Sequence, residues 1–245
     1  MNVLVPNWNV PSCVKSVAST RIGGFSISPY EALNLGTHVG DEQSLVEKNR
    51  ALFSQQAAMP SNPVWLNQTH STTVIEVSHA TNQVLDADGT TTRSPNVVCS
   101  AMTADCLPVL LTNSSGSQVA AVHAGWRGLA DGILENAIAQ FDSSSDVIAW
   151  LGPAIGAEVF EVGEDVLTAF TSFDEQAELA FIPALDDNKW LANMTMLATQ
   201  RLNQLGVNNI YSSNLCTYQQ KEQFFSYRRD GITGRQAVFI WIEPS

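Results

Sequence analysis

Residues 118–128 read Gln118-Val119-Ala120-Ala121-Val122-His123-Ala124-Gly125-Trp126-Arg127-Gly128. An apolar run of small and β-branched side chains ends at a histidine and passes through glycine. A new period follows, in which Leu129, Ile133, Leu134, Ala137, Ile138 and Phe141 recur at helical spacing. The segment therefore reads as a buried strand, a glycine turn and an amphipathic helix reaching Phe141. His123 falls at a strand end. Arg127 falls near a helix N-terminus, where unpaired amides and the peptide dipole attract anions.

Downstream, Val147–Leu151 reads as a buried strand leading into the tight turn Gly152-Pro153-Ala154-Ile155-Gly156. Helices are expected over Val162–Phe170, Asp174–Ala180 and Trp190–Leu205, the last closed by Gly206. Asn209–Ser212 and Ala237–Ile242 read as strands; between them, Phe224-Phe225-Ser226-Tyr227-Arg228-Arg229-Asp230, followed by Gly231 and Gly234, reads as a surface loop presenting charge. Upstream, strands are expected at Val64–Leu66, Thr73–Val77, Val97–Met102 and Val109–Thr112. Pro108, which has no amide to donate, belongs at a strand start or edge. The first helix is expected over Asp41–Ala57 with Asp41 as N-cap. With no repeat, low-complexity tract or long linker, the alternation favours one compact α/β-type domain; the whole chain, residues 1–245, is expected as a single α+β domain, mixed β-sheets flanked by helices with a site at strand ends.

Composition narrows the function. A chain of 245 residues with 44% apolar and 15% charged residues is neither disordered nor collagenous. At this length folding buries roughly 70–75% of the unfolded surface, so no structural metal or disulfide framework is needed. Any metal is then for chemistry. Twelve Lys and Arg against 24 Asp and Glu leave a net charge of -12, which repels polyanions and argues against nucleic acid as partner. Arginine outnumbers lysine, and its planar fork suits local recognition of a small anion. No stretch approaches the ~20 apolar residues of a membrane span. The residues up to Ser12 lack the basic start of a secretory leader, and Cys13, Cys99, Cys106 and Cys216 form no CxxC pair. These features predict a cytoplasmic protein with reduced thiols.

Chemistry-bearing side chains are few. Of four histidines, His79 reads as a solvated loop residue, and His38, between glycines, as a hydrogen-bonded loop residue before a site residue. His70 and His123 sit where strand-end residues of a cleft would sit, and Cys106 where an apolar run turns. Two imidazoles and a thiolate form a three-ligand set that leaves a fourth position on Zn²⁺ open; with a weak axial ligand, copper uses the same set. Their separations far exceed zinc-finger intervals. The residues alone therefore leave open a metal site, unrelated core positions, or a Cys106/His123 thiol pair. Cys99 and Cys216 read as small packed hydrophobes. Asp86 and Asp88 fit turn chemistry, whereas Asp105, beside Cys106, is placed to orient an imidazole or act as a base. Arg21, Arg127, Arg228 and Arg229 are the candidate anion clamps. Neither a dinucleotide fingerprint nor the His-x-Glu zinc deaminase signature is present.

Several segments together resemble one family: Thr20–Gly24, Leu33–Gly36, Val39–Asp41, Thr103–Leu110, Val122–Gly128, Leu151–Gly156, Phe160–Gly163 and Phe224–Gly234. The chain is similar over about Thr20–Ile242 to the YfiH-like family, also called the laccase-domain or multicopper polyphenol oxidase family and lately assigned as purine nucleoside phosphorylases. The resemblance implies the CNF/YfiH-like fold, metal ligands His70, Cys106 and His123, and an acidic position at Asp88. Ser71 stands where the family usually has glycine. It further implies zinc-associated phosphorolysis of adenosine, inosine, guanosine and methylthioadenosine, with adenosine deamination beside it, acting on nucleoside and phosphate. On this reading Cys106, His123, Asp105 and Asp88 serve catalysis, Arg127 holds phosphate, and Arg21 and Arg228 assist. Two alternatives accompany it. One is copper-dependent phenol oxidation, for which four histidines are too few to build a multicopper cluster. The other is a Cys106/His123 thiol hydrolase editing a peptidoglycan precursor.

Overall fold

Apolar runs on either side of the 118–128 stretch become adjacent strands at the centre of the structure, a computed structural model that describes residues 3–244. Met1 and Asn2, the first residues of the stretch read as carrying no leader, and Ser245, the last of the expected domain, lie outside the described residues. In chain order the strands are β1 (Val14–Ala18), β2 (Leu66–Asn67), β3 (Val74–Glu76), β4 (Leu85–Asp86), β5 (Gly89–Thr92), β6 (Cys99–Thr103) and β7 (Leu107–Asn113). They continue with β8 (Val119–Ala124), β9 (Val147–Leu151), β10 (Glu161–Gly163), β11 (Phe181–Pro183), β12 (Lys189–Ala192), β13 (Asn209–Ser212) and β14 (Gln236–Ile242). The helices are α1 (Gln43–Gln56), α2 (Trp126–Asp131), α3 (Ile133–Ile138), α4 (Glu164–Thr171), α5 (Met194–Gln204) and α6 (Tyr227–Asp230).

The central sheet runs β13-β9-β7-β8-β5-β3, and a second runs β1-β14-β6. β7 is antiparallel to β8 and β9, while β13 lies parallel to β9 and β3 parallel to β5, so the sheet is mixed and the fold α+β. Two small sheets, β10-β12-β11 and β2-β4, complete it.

Side-chain alternation explains why the central strands read as unbroken apolar runs. Val109, Leu111, Ala120, Val122 and Ala149 pack beneath α3 and α5, whereas Leu110, Val119, Ala121 and Trp150 pack against the β1-β14-β6 sheet. Both faces are buried, so no polar alternation is needed. The outer face of that second sheet is covered by Leu33, Leu35 and Phe53 of α1. The layers are therefore helix, sheet, sheet, helix, and the site lies at one end of the central sheet.

Local differences from the sequence reading have physical causes. The helix expected to reach Phe141 breaks at Gly132, whose φ of 101° ends α2 and starts α3. Asp41 does not cap α1, which starts after Glu42; its Oδ2 instead accepts from Ser26 Oγ at 2.6 Å and Asn34 Nδ2 at 2.8 Å. Lys189–Ala192 pairs as β12 rather than opening a helix, and α5 begins only after Asn193, whose Oδ1 accepts from Met196 N at 2.9 Å. Val162 belongs to β10, with α4 starting at Glu164, and Glu175–Ala180 is a 3₁₀ helix capped by Asp174. Pro108 is the second residue of β7, in the sheet interior. It is tolerated because its nitrogen faces the place where β9 has already ended at Leu151; its carbonyl there accepts from Gly152 N at 2.9 Å.

Candidate metal centre

The antiparallel pairing of β7 and β8 sets Leu107 opposite Ala124, so Cys106, one residue before β7, falls beside the end of β8 that carries His123. His123 N donates to the Asp88 carbonyl at 2.7 Å, continuing the β5–β8 ladder and placing the Asp88 side chain next to the imidazole. His70 arrives from the loop before β3. The amides of Thr69, His70 and Ser71 donate to the Asp88 carboxylate at 3.2, 3.0 and 2.7 Å, and the Ser71 hydroxyl adds a fourth bond at 2.7 Å. His123 Nδ1 supplies the fifth at 2.8 Å. Wrapping the loop round one carboxylate puts His70 at φ 62°, a left-handed conformation that histidine adopts more readily than most residues. Ser71 is thus a working member of the loop.

The potential ligand atoms of His70, Cys106 and His123 all lie within 4.8 Å of one another, with His70 Nε2 3.6 Å from Cys106 Sγ. Gly125 makes this approach possible: a Cβ there would sit 3.1 Å from His70 Nε2 and 3.2 Å from Cys106 Sγ. The donor set fits a borderline-soft divalent ion. It offers two imidazoles and a thiolate, with one imidazole held through Nδ1 by a carboxylate so that Nε2 faces the cluster.

Electrostatics prepare the same groups. Burial pushes the Asp88 carboxyl upward, but the bonds from His123 and Ser71 outweigh it and bring it down to about 2. Burial likewise opposes a Cys106 thiolate, yet the charge and hydrogen bonds of His123, aided by His70, lower that thiol to about 6. His123 is penalised by burial but raised to about 9 by Cys106 and Asp88. In the metal-free protein the row at neutral pH is carboxylate, imidazolium, thiolate, and a bound cation would displace the imidazolium proton.

A cavity of about 340 Å³ opens onto the cluster. Arg127 lines it, 4.3 Å from the Trp126 ring centroid, and among the described residues its guanidinium has no hydrogen-bond partner. Because α2 has only six residues, positive potential comes from this guanidinium more than from a helix dipole. Arg235, His38, Gln68 and Tyr227 also line the cavity. Arg235 Nη1 donates to the carbonyls of Thr233 and Gly234, and burial lowers its pKa against the pull of Cys106 and Asp105. His38 is held below its ordinary value by burial, then by Arg235, Arg50 and His123, and so stays neutral. Arg235 is a site residue the sequence reading does not name, although it lies between Gly234 and the first residue of β14, a strand-end position like that of His123.

Other residues named from the sequence lie elsewhere. Asp105, at φ 93°, accepts from Thr217 Oγ1 at 2.6 Å, Ser226 Oγ at 3.0 Å and Arg228 N at 2.7 Å, so it ties the Cys106 loop to the C-terminal segment and does not line the cavity. Asp88 is fully buried with five donors, which suits orientation and not proton shuttling. The Arg21 fork is occupied by the carbonyls of Glu31 and Lys221 and lines a separate groove. Arg229 is spent on the carbonyls of Thr217, Tyr218 and Phe224 and on Asp230. The 224–230 segment is therefore anchored, with Phe224 and Phe225 fully buried, instead of presenting both charges. Arg228 lines a second recess against Cys106. Cys99 is a buried thiol pushed up to about 12 by burial, but Cys216 is partly exposed and accepts from Gly156 N and Gln219 N, so it is no packed hydrophobe. His79 is an exposed loop residue bonded to Ser78, and Asp86 accepts from Asn67. A larger cavity, about 650 Å³, lies at the ends of β9 and β13; its only charged side chain is Glu158, so it offers neither a ligand cluster nor a cation.

A family model described as multi-copper polyphenol oxidoreductase laccase matches residues 15–243. A Haemophilus influenzae protein named purine nucleoside phosphorylase is 52% identical, covering 99% of this chain and 100% of its own. The Escherichia coli purine nucleoside phosphorylase YfiH is 48% identical over 98% of each chain. Among solved structures, Neisseria meningitidis protein NMB0706 superimposes with a TM-score of 0.95 at 45% identity over 100% of both chains. The Bacillus licheniformis hypothetical protein YfiH gives 0.88 at 29% identity, over 94% of this chain and 93% of that one. Among the described residues, no helix is long and apolar enough to cross a membrane.

Proposed function

The chain belongs to the multi-copper polyphenol oxidoreductase laccase family, and on that premise we propose that it is a purine nucleoside phosphorylase acting at the His70/Cys106/His123 cluster. The observation that carries the reading is an arginine, Arg127, that has no hydrogen-bond partner among the described residues and lines the same cavity as the cluster, with Arg235 beside it. Phosphorolysis joins a phosphate oxygen to C1′ of the ribosyl group as the bond from C1′ to the purine nitrogen breaks. The electron pair of that bond passes to the purine, which takes up a proton, and the products are free base and ribose 1-phosphate.

Arg127 binds and orients the phosphate, and its planar fork can hold two oxygens at once. Arg235 adds charge from a half-buried position where it is weakly screened. Neutral His38 offers a hydrogen bond without repelling the two guanidiniums. Asp88 fixes the His123 ring, and Asp105 fixes the Cys106 loop. His70, Cys106 and His123 would hold zinc, which when bound supplies a Lewis acid beside the cavity.

The test is metal-defined protein with inosine, with and without phosphate. Ribose 1-phosphate formed only with phosphate, and lost in His123→Ala, is the expected result. Base release at equal rate without phosphate makes the protein a hydrolase instead. A preparation with no near-stoichiometric metal, inactivated by alkylation of Cys106, favours thiol chemistry. Phenol oxidation that persists with zinc loaded and copper chelated favours the oxidase.

A further inference from the structure

The Cys106 loop separates two cavities of opposite character. On one side lies the charged cavity with Arg127 and Arg235; on the other is a recess of about 140 Å³, walled by Trp126, Ile155, Phe160 and Met194. Ala104, Cys106 and Tyr227 line both, so the two spaces adjoin across these residues. Ile155, Phe160 and Met194 are buried, and Phe160 and Trp126 supply aromatic surface. A space near this size has room for one aromatic ring. Beside Asp105, Cys106 and Tyr227 the recess has one cation. Arg228 lines it, 5.3 Å from the Phe160 ring centroid, and only its Nη1 is engaged, donating to the Glu161 carbonyl at 2.8 Å. Its other N–H groups remain available. Asp105, by contrast, already accepts three hydrogen bonds, from Thr217, Ser226 and the Arg228 amide.

We propose that the nucleoside lies across Cys106 with the six-membered ring of its purine in this recess and its ribosyl group and phosphate on the Arg127 side. The inference rests on the phosphorolytic reading and deepens it. An amphipathic substrate, flat and weakly polar at one end and hydroxylated or anionic at the other, matches the pair of cavities in order. The bond to be broken then falls at their junction. Arg228 becomes a specificity residue: a guanidinium facing the base favours a carbonyl acceptor on the six-membered ring over an amino group, so 6-oxopurines are preferred to 6-aminopurines. This moves Arg228 from the phosphate, where the sequence placed it, to the base.

The test compares wild type with Phe160→Leu, which removes the ring face while keeping most of the volume, and with Arg228→Met at an exposed position. Inosine and adenosine phosphorolysis is measured at varied nucleoside and varied phosphate, and hypoxanthine and inorganic phosphate binding are measured by calorimetry. Phe160→Leu is expected to raise KM about tenfold for both nucleosides. Arg228→Met is expected to raise it about tenfold for inosine only, with phosphate KM unchanged in both variants. Normal phosphate binding also shows that each variant is folded. If wild type phosphorolyses inosine and neither variant changes inosine KM, the inference is overturned while the proposed function stands. If wild type shows no phosphorolysis, the proposed function fails; hypoxanthine binding weakened in both variants then still supports the recess, whereas undiminished binding in them, or none in wild type, overturns it.

Discussion

Asp88 does more for the site than its place in a turn suggests, because one buried carboxylate fixes both the His70 loop and the His123 ring. Asp88→Asn keeps the shape but removes the anion, and should cost 10–100-fold in zinc affinity, read by competition with a chelator. The same group governs acid stability. Its folded pKa of about 2 lies below its ordinary 3.8, so its contribution is complete above 3.8 and drains away as the pH falls toward 2. Melting temperatures of the metal-free protein between pH 5 and pH 2 should fall less steeply in Asp88→Asn than in wild type. Cys106, lowered to about 6, should react with iodoacetamide in metal-free protein with a midpoint near that pH, while Cys99, near 12, stays unreactive. For Arg127→Met, phosphate KM should rise at least about tenfold in steady-state kinetics, the loss of a charge-assisted contact.

At the scale of elements, the strand, turn and short helix around Gly125 bring the ligands into reach. Gly125→Ala puts a methyl group against both His70 and Cys106, while the turn's φ of -65° is open to any residue. It should therefore lower metal affinity with little change in the urea midpoint of the metal-free protein. Gly132→Ala is expected to do the reverse: at φ 101° it costs about 1–2 kcal/mol of stability, and metal affinity stays close to wild type. Element types were readable where one signal dominated, as in β9, whose bounds match the expected Val147–Leu151. They were misread where two signals overlapped. Trp190 and Leu191 satisfy a helical period as well as a strand alternation, and only the partners offered by β10 and β11 decide for the strand. Asp41 is a good cap by type, but Ser26 and Asn34, brought up by the chain before α1, compete for its carboxylate.

Across the whole molecule, the site is assembled from segments that share little but the fold: the loop at 69–71, the ends of β7 and β8, and the start of β14, with Asp105 bonded to Thr217 and Ser226 as the cross-tie. Such a site depends on both sheets staying packed. Leu110→Ala, at a fully buried position between them, should cost about 2–5 kcal/mol by denaturant titration and reduce the occupied metal fraction on warming. The sequence by itself determined the strand–turn–helix around His123 and the continuous apolar strands of a sheet buried on both faces, because side-chain type and period are local properties; it left open whether His70, Cys106 and His123 meet, which the fold decides. Arg127 was expected at an anion site from its place near a helix N-terminus, but which arginine joins it, Arg235 and not Arg21 or Arg228, was decided by the tertiary structure. Arg21, Arg127, Arg228, Arg229 and Arg235 are chemically identical, and only folding brings Arg127 and Arg235 to one cavity, ties the others to carbonyls elsewhere and leaves Arg127, among the described residues, without a hydrogen-bond partner.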